Sequence, residues 1–192
     1  MIAGILLAAG NSTRMGSDKA LLSYNDATFI DTILDNLNRS GCQPIISILG
    51  KSAELICKQT SVHKFQCYRN PDPSEGMLSS LKIAVEHLPD ECKGFIMALV
   101  DHPMVRRETY HLLLAEGKNN SDLIIIPEYQ GHHGHPVYFG KDFFSALLKA
   151  PNNTGARKVI SDHYSQVRYL KVEDSGILID IDTREDFDKY NH

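Results

Sequence analysis

The residues best suited to chemistry crowd the first loop. Leu7-Ala8-Ala9-Gly10-Asn11-Ser12-Thr13-Arg14-Met15-Gly16-Ser17-Asp18-Lys19 follows a short apolar run and combines two glycines with hydroxyls and two cations. Such a segment is built to hold polyphosphate. Gly10 lets backbone N–H groups approach an anion, Gly16 can take a positive φ, and Arg14 and Lys19 supply charge-assisted bonds to phosphate oxygens. The spacing matches neither GxxxxGK[ST] nor GxGxxG, which disfavours a Walker loop and a dinucleotide fold. A bare Gly/Ser loop is most often a plain connection; two cations just past a buried strand turn the balance toward an anion site.

A second group of residues is acidic. Asp101 stands between the apolar run Phe95–Val100 and Pro103, where a carboxylate leaves the end of a strand and faces phosphate. Mg²⁺ takes hard oxygen ligands and keeps several waters, so one or two carboxylates with phosphate oxygens suffice. Asp101 is the first expected ligand, and the second comes from Asp180 or Asp182, whose alternation about Ile181 places both on one face if a strand continues there. Asp182 or Thr183 serves equally well as the cap of a final helix. Gly131-His132-His133-Gly134-His135-Pro136 clusters three histidines without the carboxylate or cysteine partners of a defined metal site. It reads instead as a ligand-binding loop in which His135 can bond a ligand, with Arg157 near a helix start reaching a phosphate or sitting in a surface ion pair. In Asn70–Leu81, Asn70 can read a base edge and Ser79 and Ser80 lie near a helix N-terminus, although a turn punctuated by Pro71 and Pro73 explains the same residues.

These groups need a frame. Short, almost wholly apolar runs at Ile2–Ala8, Ile45–Leu49, Phe65–Tyr68, Phe95–Val100 and Leu123–Ile126 predict strands covered on both faces. Thr28–Ser40, Ser52–Gln59, Met77–His87 and Glu108–Glu116 carry helical periodicity between them. The alternation predicts an α/β fold, a Rossmann-like three-layer sandwich with a mainly parallel central sheet. Beyond Pro127 the pattern predicts a strand at Pro136–Phe139, helices at Lys141–Lys149 and Thr154–His163, strands at Val167–Lys171 and Ile177–Asp180, and a last helix from Arg184. Ligands of such sheets bind beyond the carboxyl ends of the strands, here the loops after Ala8, Tyr68 and Val100.

Composition sets the outer bounds. The 192 residues fit one domain, read as 1–192, and carry a formal net charge of -4 with 42% hydrophobic residues, an ordinary globular mixture that argues against nucleic acid as the main partner. The apolar start is far too short for a membrane span. Cys42, Cys57, Cys67 and Cys92 lie far apart with no zinc-like spacing, which suits reduced thiols in a cytoplasm and small buried core residues.

The first loop resembles the LAAGxSxRMGxxK signature of the MobA-like NTP transferases and matches it throughout. Asn70-Pro71 with Glu75-Gly76-Met77 and Ser79-Ser80-Leu81 resembles that family's NPxxxEGMxxSL stretch, and Val100-Asp101-His102-Pro103 its GDxP motif. Gly134-His135-Pro136, Gly155-Ala156-Arg157 and Asp180-Ile181-Asp182-Thr183 with Glu185-Asp186 look like the molybdenum cofactor cytidylyltransferase branch. The resemblance spans nearly the whole chain. It implies the nucleotide-diphospho-sugar transferase type of fold and a nucleotidyltransferase joining CMP from CTP to the phosphate of molybdopterin, with Mg²⁺ as cofactor and a molybdenum hydroxylase as user of the product.

Within that reading, Leu7, Ala8, Ala9, Gly10, Arg14, Lys19, Asn70 and Ser79 bind nucleotide. Arg14, Lys19 and Asp101 serve catalysis, His135 and Arg157 bind the acceptor, and Asp101 with Asp180 or Asp182 binds metal. Ala8-Ala9-Gly10 is similar to the pyrimidine-using members, whereas Gly16-Ser17-Asp18-Lys19 is similar to the GxDK of the guanylyl branch, which keeps GTP or another phosphorylated acceptor as alternatives. A non-catalytic carrier of the cofactor and an oxidoreductase on a Rossmann-like sheet are the readings from other classes.

Overall fold

The computed structural model describes residues 1–10, 18–62 and 64–190. Its centre is β1 (Ile2–Ala8), buried over all 7 residues. Alternation sorts the strand: Ile2, Leu6 and Ala8 face one apolar cluster and Ala3, Ile5 and Leu7 the other. In chain order there follow the two-residue strands β2 (Ser23–Tyr24) and β3 (Ala27–Thr28), α1 (Phe29–Ser40), β4 (Ile45–Leu49) and α2 (Ala53–Gln59). Next come β5 (Gln66–Arg69), α3 (Met77–Glu86), β6 (Gly94–Leu99), α4 (Arg107–Gly117), β7 (Ile124–Tyr129) and β8 (His132–His133). The chain continues with β9 (Val137–Gly140), α5 (Phe144–Lys149), α6 (Gly155–Asp162), β10 (Val167–Lys171) and α7 (Arg184–Tyr190).

The main sheet runs β10-β7-β9-β6-β1-β4-β5, with β8 paired to β7. β9 is antiparallel to both β6 and β7, and the pairs β10–β7, β6–β1, β1–β4 and β4–β5 are parallel. Ile30, Ile33, Leu34 and Leu37 of α1 join Tyr110, Leu113 and Leu114 of α4 on one face. Leu78 and Leu81 of α3, Leu147 of α5 and Val159 of α6 cover the other. Each fully buried Leu or Ile contributes about 1.5–3 kcal/mol, so both helical layers are anchored by burial rather than by intrinsic propensity. This is the three-layer α/β sandwich expected from the alternation.

Local signals explain the helix ends. Thr28 Oγ1 accepts from the Asp31 N–H at 3.2 Å at the start of α1, and Gly41 closes that helix at φ 94°. From β1 the chain proceeds toward β4 on one side, and from β6 toward β7 on the other. Their carboxyl ends therefore flank a topological switch point, where ligands of open α/β sheets bind.

Three expectations need correction. Ile177–Asp180 is not a strand: Ser175–Leu178 forms a 3₁₀ turn. The buried Asp174 carboxylate accepts from Gly176 N–H at 2.9 Å, Arg106 N–H at 2.9 Å and Thr109 Oγ1 at 2.6 Å. A Cβ at Gly176 would collide with the Met104 carbonyl, so this stretch is packed against the chain instead of extended beside a neighbouring strand. The shared-face argument for Asp180 and Asp182 falls with that strand. Finally, Cys42 and Cys92 are buried as expected, but Cys57 and Cys67 are exposed.

Candidate active site

Two cavities meet at the switch point. The smaller, about 250 Å³, is bounded by Leu7, Ala9 and Gly10 after β1, by Lys19, by Asp101, by Gly76, Met77 and Ser80 at the start of α3, and by Asp182. The larger, about 690 Å³, is lined by Asp101, His102, His133, His135, Arg157 and Asp180 among apolar residues that include Met97, Ile126 and Ile160. Met77, Leu99 and Asp101 border both. Asp101 is thus the polar residue on the wall between them.

Lys19 opens a short 3₁₀ turn whose start is capped by Asp18 Oδ1, which accepts from Ala20 N–H at 3.2 Å. Its Nζ lies 2.6 Å from Asp182 Oδ1 and 4.0 Å from Asp101 Oδ2. Burial raises the Asp101 carboxyl above its ordinary range and Asp182 adds to the rise, while Lys19 works against it. The Asp101 Oδ1 atom is buried and has no hydrogen-bond partner among the described residues, His102 Nε2 standing 3.8 Å away. An orphaned buried carboxylate oxygen is costly unless a ligand meets it. With Asp182 on the same cavity, the arrangement suits a hard dication. Among the described residues no set of three or more His, Cys, Asp or Glu could enclose an ion, so phosphate oxygens and water would complete its shell.

Helix capping does not claim the Asp182 carboxylate. Thr183 Oγ1 accepts from Asp186 N–H at 3.1 Å, and Asp186 Oδ2 accepts from Thr183 N–H at 2.9 Å, a reciprocal cap for α7. Thr183, not Asp182, caps the final helix. Backbone bonds then lace the segment to the site: Ile181 N–H donates to Asp101 O at 2.8 Å and His135 N–H to Ile177 O at 3.0 Å. Gly134 is required at this crossing, because a Cβ there would collide with the Ile177 carbonyl.

In the larger cavity the His102 and His135 rings lie 5.0 Å apart at 49°. Burial holds both imidazoles toward the neutral form and lowers His135 to about 4. Each has a buried Nδ1 with no hydrogen-bond partner among the described residues. The three clustered histidines part company, for His133 stacks on Tyr169 at 3.8 Å and sets Nε2 3.3 Å from Glu128 Oε2. Arg157 reaches this cavity from the first turn of α6. Asp180 lines this cavity and Asp182 the other, so two aspartates expected on one face are divided between two spaces.

Asn70 and Ser79 sit behind the wall. Asn70 is 3% exposed, and its Nδ2 donates to Ser79 Oγ at 2.8 Å and Ser80 Oγ at 2.9 Å. Of this trio Ser80 lines the smaller cavity. Ala8 packs into the core on the face opposite Leu7. Arg14 lies outside the described residues. His102 and Met77 stand within motifs quoted from the sequence, which assigns neither of them a role in the site. The position of His102 directly after Asp101 was the available signal, whereas Met77 looks like one more apolar residue of a helix until Gly76, at φ 98°, turns that helix start into the site.

Residues 4–167 match the family described as the MobA-like NTP transferase domain. The chain is 30% identical over 186 residues to the molybdenum cofactor cytidylyltransferase of Escherichia coli K12, covering 95% of this chain and 92% of that protein. It is 26% identical over 193 residues to the nicotine blue oxidoreductase of Paenarthrobacter nicotinovorans, covering 96% and 93%. The crystal structure of Rv0371c from Mycobacterium tuberculosis H37Rv superimposes with a TM-score of 0.89 at 28% identity, over 99% of this chain and 96% of that one. A manganese complex of Rv0371c superimposes at 0.84, with 26% identity over 99% and 97%. The chain belongs to the MobA-like NTP transferase domain family.

Proposed function

We propose that this protein is a Mg²⁺-dependent nucleotidyltransferase that joins CMP from CTP to the phosphate of a molybdopterin-type acceptor and releases pyrophosphate. The observation that carries this reading is Asp101 on the wall between two cavities, its Oδ1 without a hydrogen-bond partner among the described residues. Transfer between two bound molecules needs such a junction; a carrier that holds one ligand does not. The smaller cavity takes the nucleotide against Leu7, Ala9, Gly10 and Lys19, with Arg14 of the same loop on the phosphates and Asn70 and Ser79 supporting the wall. The larger takes the acceptor, with His135 on its heterocycle and Arg157 on its phosphate.

The acceptor phosphate is an anion at neutral pH, so the chain needs no general base. Its residues must align that phosphate with the α-phosphorus and balance charge on the departing pyrophosphate, which is positioning and electrostatics. Bound Mg²⁺, held by Asp101 and Asp182, would add charge neutralisation at the triphosphate. Two features favour CTP: the Ala8-Ala9-Gly10 turn and the cytidylyltransferase relative. One domain carrying both cavities, working in the cytoplasm and passing its product to a molybdenum hydroxylase, completes the reading.

Calorimetric titration with CTP, GTP, ATP and UTP, each with and without Mg²⁺, tests it. Mg²⁺-dependent preference for CTP supports the reading, and preference for GTP moves the protein to guanylyl transfer. The oxidoreductase relative favours a second reading, in which the larger cavity holds a heterocycle to be reduced. Oxidation of a reduced nicotinamide nucleotide, with no pyrophosphate release from any NTP, would select it.

A further inference from the structure

Two thiols that line neither cavity face each other. Cys57 lies in the last turn of α2 and Cys67 in the edge strand β5. Both are free and exposed, and their Sγ atoms are 3.0 Å apart. Alternation along β5 explains the meeting: the Tyr68 ring meets His87, just beyond α3, at 3.8 Å and 38° on one face of the sheet, so Cys67 projects to the opposite face, where α2 packs. Ile56 anchors α2 in the core next to Cys57, and Cys67 is registered against Ser47 of β4. Neither sulfur depends on a mobile partner to reach the other. Cys42 and Cys92, by contrast, are buried at 0% exposure each and cannot meet an oxidant in solution.

We propose that Cys57 and Cys67 form a dithiol site that small-molecule disulfides convert reversibly into an intramolecular disulfide. The Cys57 thiolate attacks one sulfur of the reagent disulfide, forms a mixed disulfide and expels one thiolate. Cys67 then loses its proton, attacks the Cys57 Sγ and expels the second thiolate. Two protein thiols become one Sγ–Sγ bond, one reagent disulfide becomes two thiols, and the two protons pass to the released thiolates. The bond would tie the outer end of α2 to β5, on the sheet face away from α3 and the cavity wall that α3 begins.

The test uses the full chain with oxidised glutathione, followed by alkylation of remaining thiols and peptide mapping. The expected result is a Cys57–Cys67 cross-linked peptide, reversed by dithiothreitol, with Cys42 and Cys92 alkylated only after unfolding. Cys57→Ser should abolish the cross-link while leaving thermal melting of the reduced protein unchanged, since both thiols are exposed. Separate glutathione adducts on Cys57 and Cys67 with no cross-link, or two thiols that stay free, would overturn the proposal. Neither result depends on nucleotide binding, so the outcome stands apart from the transferase reading.

Discussion

Lys19 Nζ and Asp182 Oδ1 lie 2.6 Å apart across 163 residues of sequence. The pair joins the first loop to the segment before α7, and both residues face the smaller cavity beside Asp101. Asp182 is 49% exposed in its side chain, so the ion pair adds only about 0–1 kcal/mol to stability. Its weight falls on the site. Lys19→Ala is expected to leave the urea midpoint nearly unchanged while lowering the transfer rate by about 10²–10³, the cost of removing one preorganised charge. Steady-state kinetics beside chemical denaturation of the same variant check both halves.

The division of Asp180 and Asp182 between two cavities predicts different losses. Asp101→Asn and Asp182→Asn should each weaken Mg²⁺-dependent nucleotide binding by about tenfold or more, the effect of losing a charge-assisted contact. Asp180→Asn should leave nucleotide affinity within about twofold and raise the KM for the acceptor, since its carboxylate touches only the larger space. Calorimetry with Mg²⁺ and CTP separates the three variants.

Asp174 is a structural knot. Its carboxylate, 3% exposed, accepts from two backbone N–H groups and the Thr109 hydroxyl. Asp174→Ala strands those donors and is expected to cost about 3 kcal/mol or more, at about 1–3 kcal/mol for each group left unmet. Thermal denaturation measures it. Because the same segment carries Asp180 and Asp182, Mg²⁺-dependent nucleotide binding should weaken as well.

What the sequence made legible follows the range of the forces involved. The first loop, the strand before Asp101 and the apolar runs of β1, β4 and β6 are local signals, and those strands formed within about a residue of where periodicity places them. Ile177–Asp180 misled because two isoleucines and a leucine mimic a strand. What decides their conformation is the bond that Arg106 N–H donates to Asp174 and the contact of Gly176 with Met104, both distant in sequence. His102 stayed hidden for the same reason: its significance comes from the His135 ring, which the β8–β9 turn and the 3₁₀ segment deliver from elsewhere. Exposure of Cys57 and Cys67 likewise depends on which faces α2 and β5 present, which composition does not determine.

Alkaline pH should loosen the fold through its buried acids. Burial raises Cys42 from 9.0 to about 12 and raises Tyr110 as well. The folded state therefore keeps these protons at a pH where the unfolded chain has released them, so stability falls as pH rises from about 9 towards 12. Urea midpoints between neutral pH and pH 10 should decline, and Cys42→Ala should decline less steeply.

If Asp101 stands between a nucleotide and an acceptor bound in separate cavities, transfer requires both. Pyrophosphate release from CTP and Mg²⁺, measured with and without molybdopterin, addresses it most directly. Release is expected only when both substrates are present, with near-complete loss in Asp101→Asn. Release at the same rate without the acceptor, or none from folded protein supplied with every NTP, Mg²⁺ and molybdopterin, would contradict it.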